Sequence, residues 1–148
     1  MSTRSSITLK VGKKYMSNYC HWDGYVSYVG EILFRYYDTY EKVSELMSYG
    51  DISSLDETIE SCVFYHRDRN ESLDIGELED APYNQQGFDY VFEDGEWYLQ
   101  NYSYWDDITD EETEYVNIKL SDALYLEMPD KYKNILRKRK LKRLINKK

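Results

Sequence analysis

The chain is poor in the residues that staple, break or catalyse: its 148 residues include two cysteines, two prolines and two histidines. Cys20 and Cys62 are too few for a disulfide framework and read as thiols of a reducing compartment. A chain of this length buries most of its apolar surface as one domain without such staples. No run is apolar for long enough to cross a bilayer, and Met1 to Arg4 lack the apolar core of a secretion signal. The expected location is therefore cytoplasmic, with no membrane partner. Walker A, G-x-G-x-x-G, G-x-S-x-G and C-x-x-C patterns are also missing. That points away from the common enzyme classes, toward a binding protein with no catalytic residue, metal or cofactor.

Tyrosine and acid are abundant instead. There are 17 tyrosines, against three tryptophans and four phenylalanines. A tyrosine has a large apolar body and a polar tip, so these residues serve both the core and binding surfaces. The formal charge is −9, unevenly spread. Residues 131–148 carry ten Lys or Arg and no Asp or Glu, which leaves the preceding body near −19. Such a body repels nucleic acid and attracts basic surfaces, and the tail does the reverse. The tail could also lie on the acidic body and neutralise it.

Residue patterning outlines the elements. Ser5–Val11 alternates, Gly12-Lys13-Lys14 turns, and 15–20 returns as a β-hairpin. After the loop at 21–25, apolar residues at helical spacing predict a helix over 27–37 and a second one stopped by Gly50. Ser54 and Glu57 have the spacing of a capping box. Residues 62–67 suit a strand, and 70–86, with Pro82, an excursion over the surface. Asp94-Gly95 between 88–92 and 96–99 is the strongest hairpin signal, because the pair suits a type I′ turn. Residues 106–114 read as an acidic loop and 115–120 as a last strand. Ser121 caps a helix to Met128, and after Pro129 a final helix begins, capped by Asp130. Tyr132, Ile135, Leu136, Leu141, Leu144 and Ile145 give that helix an apolar stripe needing a cover, which a homo-oligomer could supply. The expected fold is α+β: an antiparallel β-sheet with helices packed on one face, plus a basic C-terminal helix. Residues 1–128 form the acidic part and 129–148 the basic helix, in the same domain or as an oligomer contact.

Three groups of residues are candidates for function. His21 and His66 each stand two residues before an aspartate, Asp23 and Asp68. On strands each pair would share a face, and together they could hold a divalent metal for phosphodiester hydrolysis. The ordinary alternative is a loop aspartate bonding its own turn. Tyr65-His66-Arg67-Asp68-Arg69 holds two of the four arginines outside the tail. On a strand Arg67 and Arg69 would point together and match a phosphate, with aromatic rings to stack on a base. Ion pairing with neighbours is the plainer reading. The run Trp105 to Glu112 could imitate a phosphate backbone through Asp106, Asp107, Asp110, Glu111 and Glu112, or be a solvated loop.

Cys20-His21-Trp22-Asp23-Gly24-Tyr25, Tyr65 to Arg69, Tyr90 to Tyr98 and Thr3 to Ile7 together resemble a family of small phage and bacterial proteins marked by a His-Trp-Asp-Gly-Tyr signature. The resemblance covers roughly residues 1 to 100 and carries no established activity. It implies a phage-type accessory protein that binds and disables a host defence factor in the cytoplasm of an infected bacterium. Three functions follow as expectations. One is sequestration of an anionic nucleotide signal by His21, Trp22, Asp23, Tyr25, Tyr65, Arg67 and Arg69. Another is an acidic DNA mimic that inhibits a nucleic-acid-handling host enzyme of the CRISPR type. The last is a metal-dependent phosphodiesterase using the two His–Asp pairs.

Overall fold

A computed structural model describes residues 2–82 and 85–133. Two hairpins start and anchor the sheet. β1 (Ser5–Val11) and β2 (Lys14–Cys20) pair antiparallel in register, Ser5 opposite Cys20. Gly12, at φ +62°, opens their two-residue turn. β6 (Asp89–Glu93) and the start of β7 (Glu96–Asp106) meet across Asp94-Gly95, where both residues have positive φ as a type I′ turn requires.

The α+β expectation holds, but the sheet is mixed. The short strands β3 (Ile52–Ser54), β4 (Val63–Phe64) and β5 (Gly76–Leu78) complete it with β8 (Glu111–Lys119). The order is β4-β3-β2-β1-β6-β7-β8, and β5 pairs β2. β1 pairs β6 in parallel, and so does β2 with β3. Long crossovers allow both, and hairpin patterning is blind to such pairings.

Alternation divides the sheet's faces. Ile7, Leu9, Cys20, Ile52, Phe64, Tyr90, Phe92, Trp97, Leu99 and Ile118 enter one buried cluster. The helices supply its other half. A π-helical turn (Val26–Gly30) runs into α1 (Glu31–Tyr36), so the expected 27–37 helix is two pieces. α2 (Tyr40–Ser48) starts where Thr39 Oγ1 accepts from Lys42 N–H and ends before Gly50 at φ +79°. α4 (Leu120–Glu127) follows β8 directly. Lys119 occupies its N-cap without a side-chain bond, so Ser121 is not the cap.

The helix stops at Met128, and residues 129–133 are again helical with Pro129 as the first helical residue, so Asp130 lies within the first turn and is not the cap. Tyr132 is buried with its ring edge-on to Phe34, and Lys131 pairs with Glu31. The beginning of the basic segment thus packs on its own body. The rest of the expected basic helix, and its apolar stripe beyond Tyr132, lie outside the described residues.

Two other segments depart from their patterning. Ser54 lies in β3, so no helix starts there; Asp56 Oδ1 instead accepts from Glu57 N–H. The strand expected over 62–67 stops at Phe64, and α3 (Tyr65–Arg69) follows, ended by Asn70 at φ +56°. Asp68 favours that switch: its Oδ2 accepts from Phe64 N–H, satisfying a donor at the helix start. Among the described residues, no helix is long and apolar enough to cross a membrane.

Candidate functional site

The His-Trp-Asp-Gly-Tyr segment has a structural explanation. Gly24 N–H donates to Thr3 O, and Tyr90 Oη donates to Gly24 O at 2.7 Å from within the core. A Cβ on Gly24 would lie 2.8 Å from Arg4 O and Ser5 Cβ, so only glycine fits this close approach. Asp23 adopts φ +56°, and its Oδ1 accepts from Tyr25 Oη. Asp23 and Tyr25 therefore bond each other locally. Trp22 remains exposed, with the His21 ring edge-on at 4.6 Å.

Helix α3 changes the second candidate group. Residues two apart on a helix diverge by about 200°, whereas on a strand they share a face. Arg67 and Arg69 accordingly separate. Arg67 turns back to the body: Nη1 donates to Ile59 O, Nη2 to Cys62 O and Nε to Asp68 Oδ1, all within 2.8–2.9 Å. Its guanidinium lies over the Phe64 and Tyr49 rings. Every nitrogen of that fork is engaged, so the expected two-arginine phosphate clamp does not form. Arg69 lies over the Tyr65 ring at 5.2 Å. The His–Asp pairs do not meet either. His66 Nδ1 bonds Glu71 O, and Asp68 serves Phe64 and Arg67. Among the described residues no group of three or more His, Cys, Asp and Glu side chains could hold a metal.

The open sheet face brings together residues that the sequence left apart. Tyr19 and His21 lie on it, sharing a 2.5 Å hydrogen bond between Tyr19 Oη and His21 Nδ1. The β1–β2 register, continued by one pair, sets Arg4 opposite His21. Burial raises the Tyr19 hydroxyl's pKa, and the nearby Arg4 charge opposes that. Beside them an open groove of ≈ 590 Å³ runs between Tyr19 and Tyr65. Asp51, Glu71 and Asp74 line it, and no cation does. Burial, with the Asp74 charge, pushes the Asp51 carboxyl up despite the bond it accepts from Tyr19 N–H. A groove of three carboxylates favours cations over phosphates.

The acidic run is the largest difference. It is not a loop: β7 and β8 continue through it, leaving only residues 107–110 as the turn. Asp106 builds that turn, its Oδ1 accepting from Ile108 and Thr109 N–H, while Asp110 sits at φ +56°. β6 pairs β7 only as far as Gln100. Beyond it, 101–106 and 111–116 form a two-stranded ribbon past the rest of the sheet. Asn101, at φ +51°, interrupts the alternation, so Tyr102 turns inward and donates to Glu127 Oε2 of α4. Tyr102 also stacks on Tyr115 across the ladder.

Asp106, Asp107, Asp110, Glu111, Glu112 and Glu114 occupy this ribbon, and residues 101–118 include no Lys or Arg. Among the described residues no salt bridge reaches any of the six. Large apolar side chains stand exposed with them: Trp105 at 52%, Ile108 at 95% and Val116 at 71%. Glu114 and the apolar residues were not anticipated. The signal was present as Tyr102, Tyr104 and Thr113, Tyr115 alternating on either side of a four-residue turn. No protein-family model, curated protein sequence or solved structure matches this chain, so the resemblance rests on its quoted residues alone.

Proposed function

We propose that this protein acts by binding. Its acidic ribbon takes the place of nucleic acid in the basic groove of a nucleic-acid-handling protein. The observation that carries this reading is six carboxylates without a salt bridge among the described residues, on a two-stranded ribbon that no third described strand pairs. The six crowd into the turn and the four ladder pairs from Ser103–Glu114 to Asp106–Glu111, roughly 10 Å of strand plus the turn, a dense run of negative charge of the kind a phosphate backbone presents. The body, near −19 before residue 131, steers the same partners toward it. In the phage setting that the signature implies, the target is a host defence enzyme.

The test is displacement. Bacterial lysate proteins are bound to immobilised duplex DNA and eluted with this protein at low salt. Wild type should release a defined subset, and release should fade as salt screens the ribbon. A variant with Asp106, Asp107, Asp110, Glu111 and Glu112 replaced by their amides should release none of that subset. Equal release by wild type and variant would refute the reading.

A second reading, capture of an anionic nucleotide, rests on separate elements: Trp22 is exposed beside His21, and Arg69, free of any salt bridge among the described residues, lies over Tyr65; the three carboxylates of the groove between Tyr19 and Tyr65 oppose it. Native mass spectrometry with a nucleotide panel tests it. Retention that survives Arg4→Ala plus Arg69→Ala would remove this site.

A further inference from the structure

We propose that one face of the ribbon is a receptor for an arginine side chain of the partner, built from Trp105, Glu112 and Glu114. This rests on the docking role of the ribbon given above and names what docks there.

The ladder defines the face. Trp105 is paired with Glu112 and Ser103 with Glu114. Cross-strand partners point the same way, as do residues two apart on one strand. Trp105, Ser103, Glu112 and Glu114 therefore share a surface, with Cβ atoms about 5 Å apart across the pair and about 7–8 Å apart on the diagonal. The opposite surface carries Tyr102 and Tyr115, which stack on each other and turn toward α4. The ribbon thus has a supported face and a face open to solvent.

What stands on the open face is chemically specific. Among the described residues no ring, no cation and no hydrogen bond engages the Trp105 indole, and no cation pairs with Glu112 or Glu114. A half-exposed indole beside two carboxylates offers a π-face and acceptors to one ligand. A guanidinium is planar and weakly hydrated, so it can stack on the ring while its N–H fork reaches a carboxylate. Ammonium is more strongly hydrated and has no plane to stack, so arginine should be preferred to lysine. The occupant is an arginine on a basic protein segment. Charge complementarity supports it, and the aromatic face makes it selective.

The experiment follows indole N–H resonances of the full chain by NMR during titration with hexa-arginine and, separately, hexa-lysine. Trp105→Phe assigns the signal, because the three tryptophans give three indole peaks. The Trp105 peak should move with hexa-arginine, and hexa-lysine of equal charge should bind about fivefold more weakly. Glu112→Gln with Glu114→Gln should weaken hexa-arginine about tenfold. Asp107→Asn with Asp110→Asn, an equal loss of charge at the turn, should cost about threefold or less. Trp105→Ala, at an exposed position, keeps the fold and should also lose the arginine preference. If both peptides bind alike with the Trp105 signal unmoved, the receptor is refuted while the docking ribbon stands. If neither peptide binds at low salt, the docking reading falls and the receptor with it.

Discussion

Replacing Arg67 by alanine separates a structural arginine from a ligand-binding one. The guanidinium ties three places together: the turn at Ile59, the approach to β4 at Cys62 and the helix α3 at Asp68. It also covers Phe64 at 4.8 Å and Tyr49 at 5.6 Å, two rings that stack on each other. A charge-assisted hydrogen bond to a partly buried carbonyl is worth about 1–2 kcal/mol net, and each ring contact about 0.5 kcal/mol at such exposure. The bonds are coupled, so the truncation should cost about 2–3 kcal/mol rather than their sum. For a chain of this size that lowers Tm by roughly 5–10 °C. Arg67→Lys keeps the charge but loses the fork, and should recover less than half of the loss. Arg69→Ala, which removes one ring contact, should stay within about 0.5 kcal/mol of wild type. Urea and thermal melts of the three variants measure this. An Arg67→Ala protein that melts within a degree or two of wild type would show that the fork is not holding the turn.

Gly24→Ala should be costly, about 2–3 kcal/mol, because the added Cβ meets backbone of Arg4 and Cβ of Ser5 at 2.8 Å rather than a flexible side-chain end. A urea melt that shifts by less than about 0.5 kcal/mol would contradict that close packing. Glu31 supplies a pH dependence. Burial raises its carboxyl pKa, but the bound Lys131 ammonium and the Arg35 charge outweigh burial and hold it below the usual 4.5. A folded-state value below the unfolded one means the contribution is complete above pH 4.5 and is lost as pH falls through the lower value. Wild type should therefore lose its stability advantage over Glu31→Gln on acidification below that point. A constant difference down to about pH 3 would argue against the anchor.

What could be read from the chain was what its neighbours in sequence decide. Gly12 and Asp94-Gly95 impose two-residue turns, so both hairpins were legible, as were the Gly50 stop and the Pro129 break, because such geometry depends on a few adjacent dihedrals. Composition likewise revealed the acidic body, since charge counts need no fold. Tertiary structure decided what depends on residues far apart. β1 joins β6 in parallel across some eighty residues, and no local pattern encodes that partner. Residues 62–67 read as a strand, yet the chain turns helical from Tyr65, where Asp68 accepts from Phe64 N–H and Arg67 finds the carbonyls of Ile59 and Cys62; that reversal removed the arginine clamp. Residues 111–114, three glutamates that form strands poorly and Thr113, become extended because Ser103 to Asp106 offer them a ladder. The chain determined how much negative charge it carries; only the pairing of β7 with β8 decided that the charge stands on a ribbon beside an exposed tryptophan.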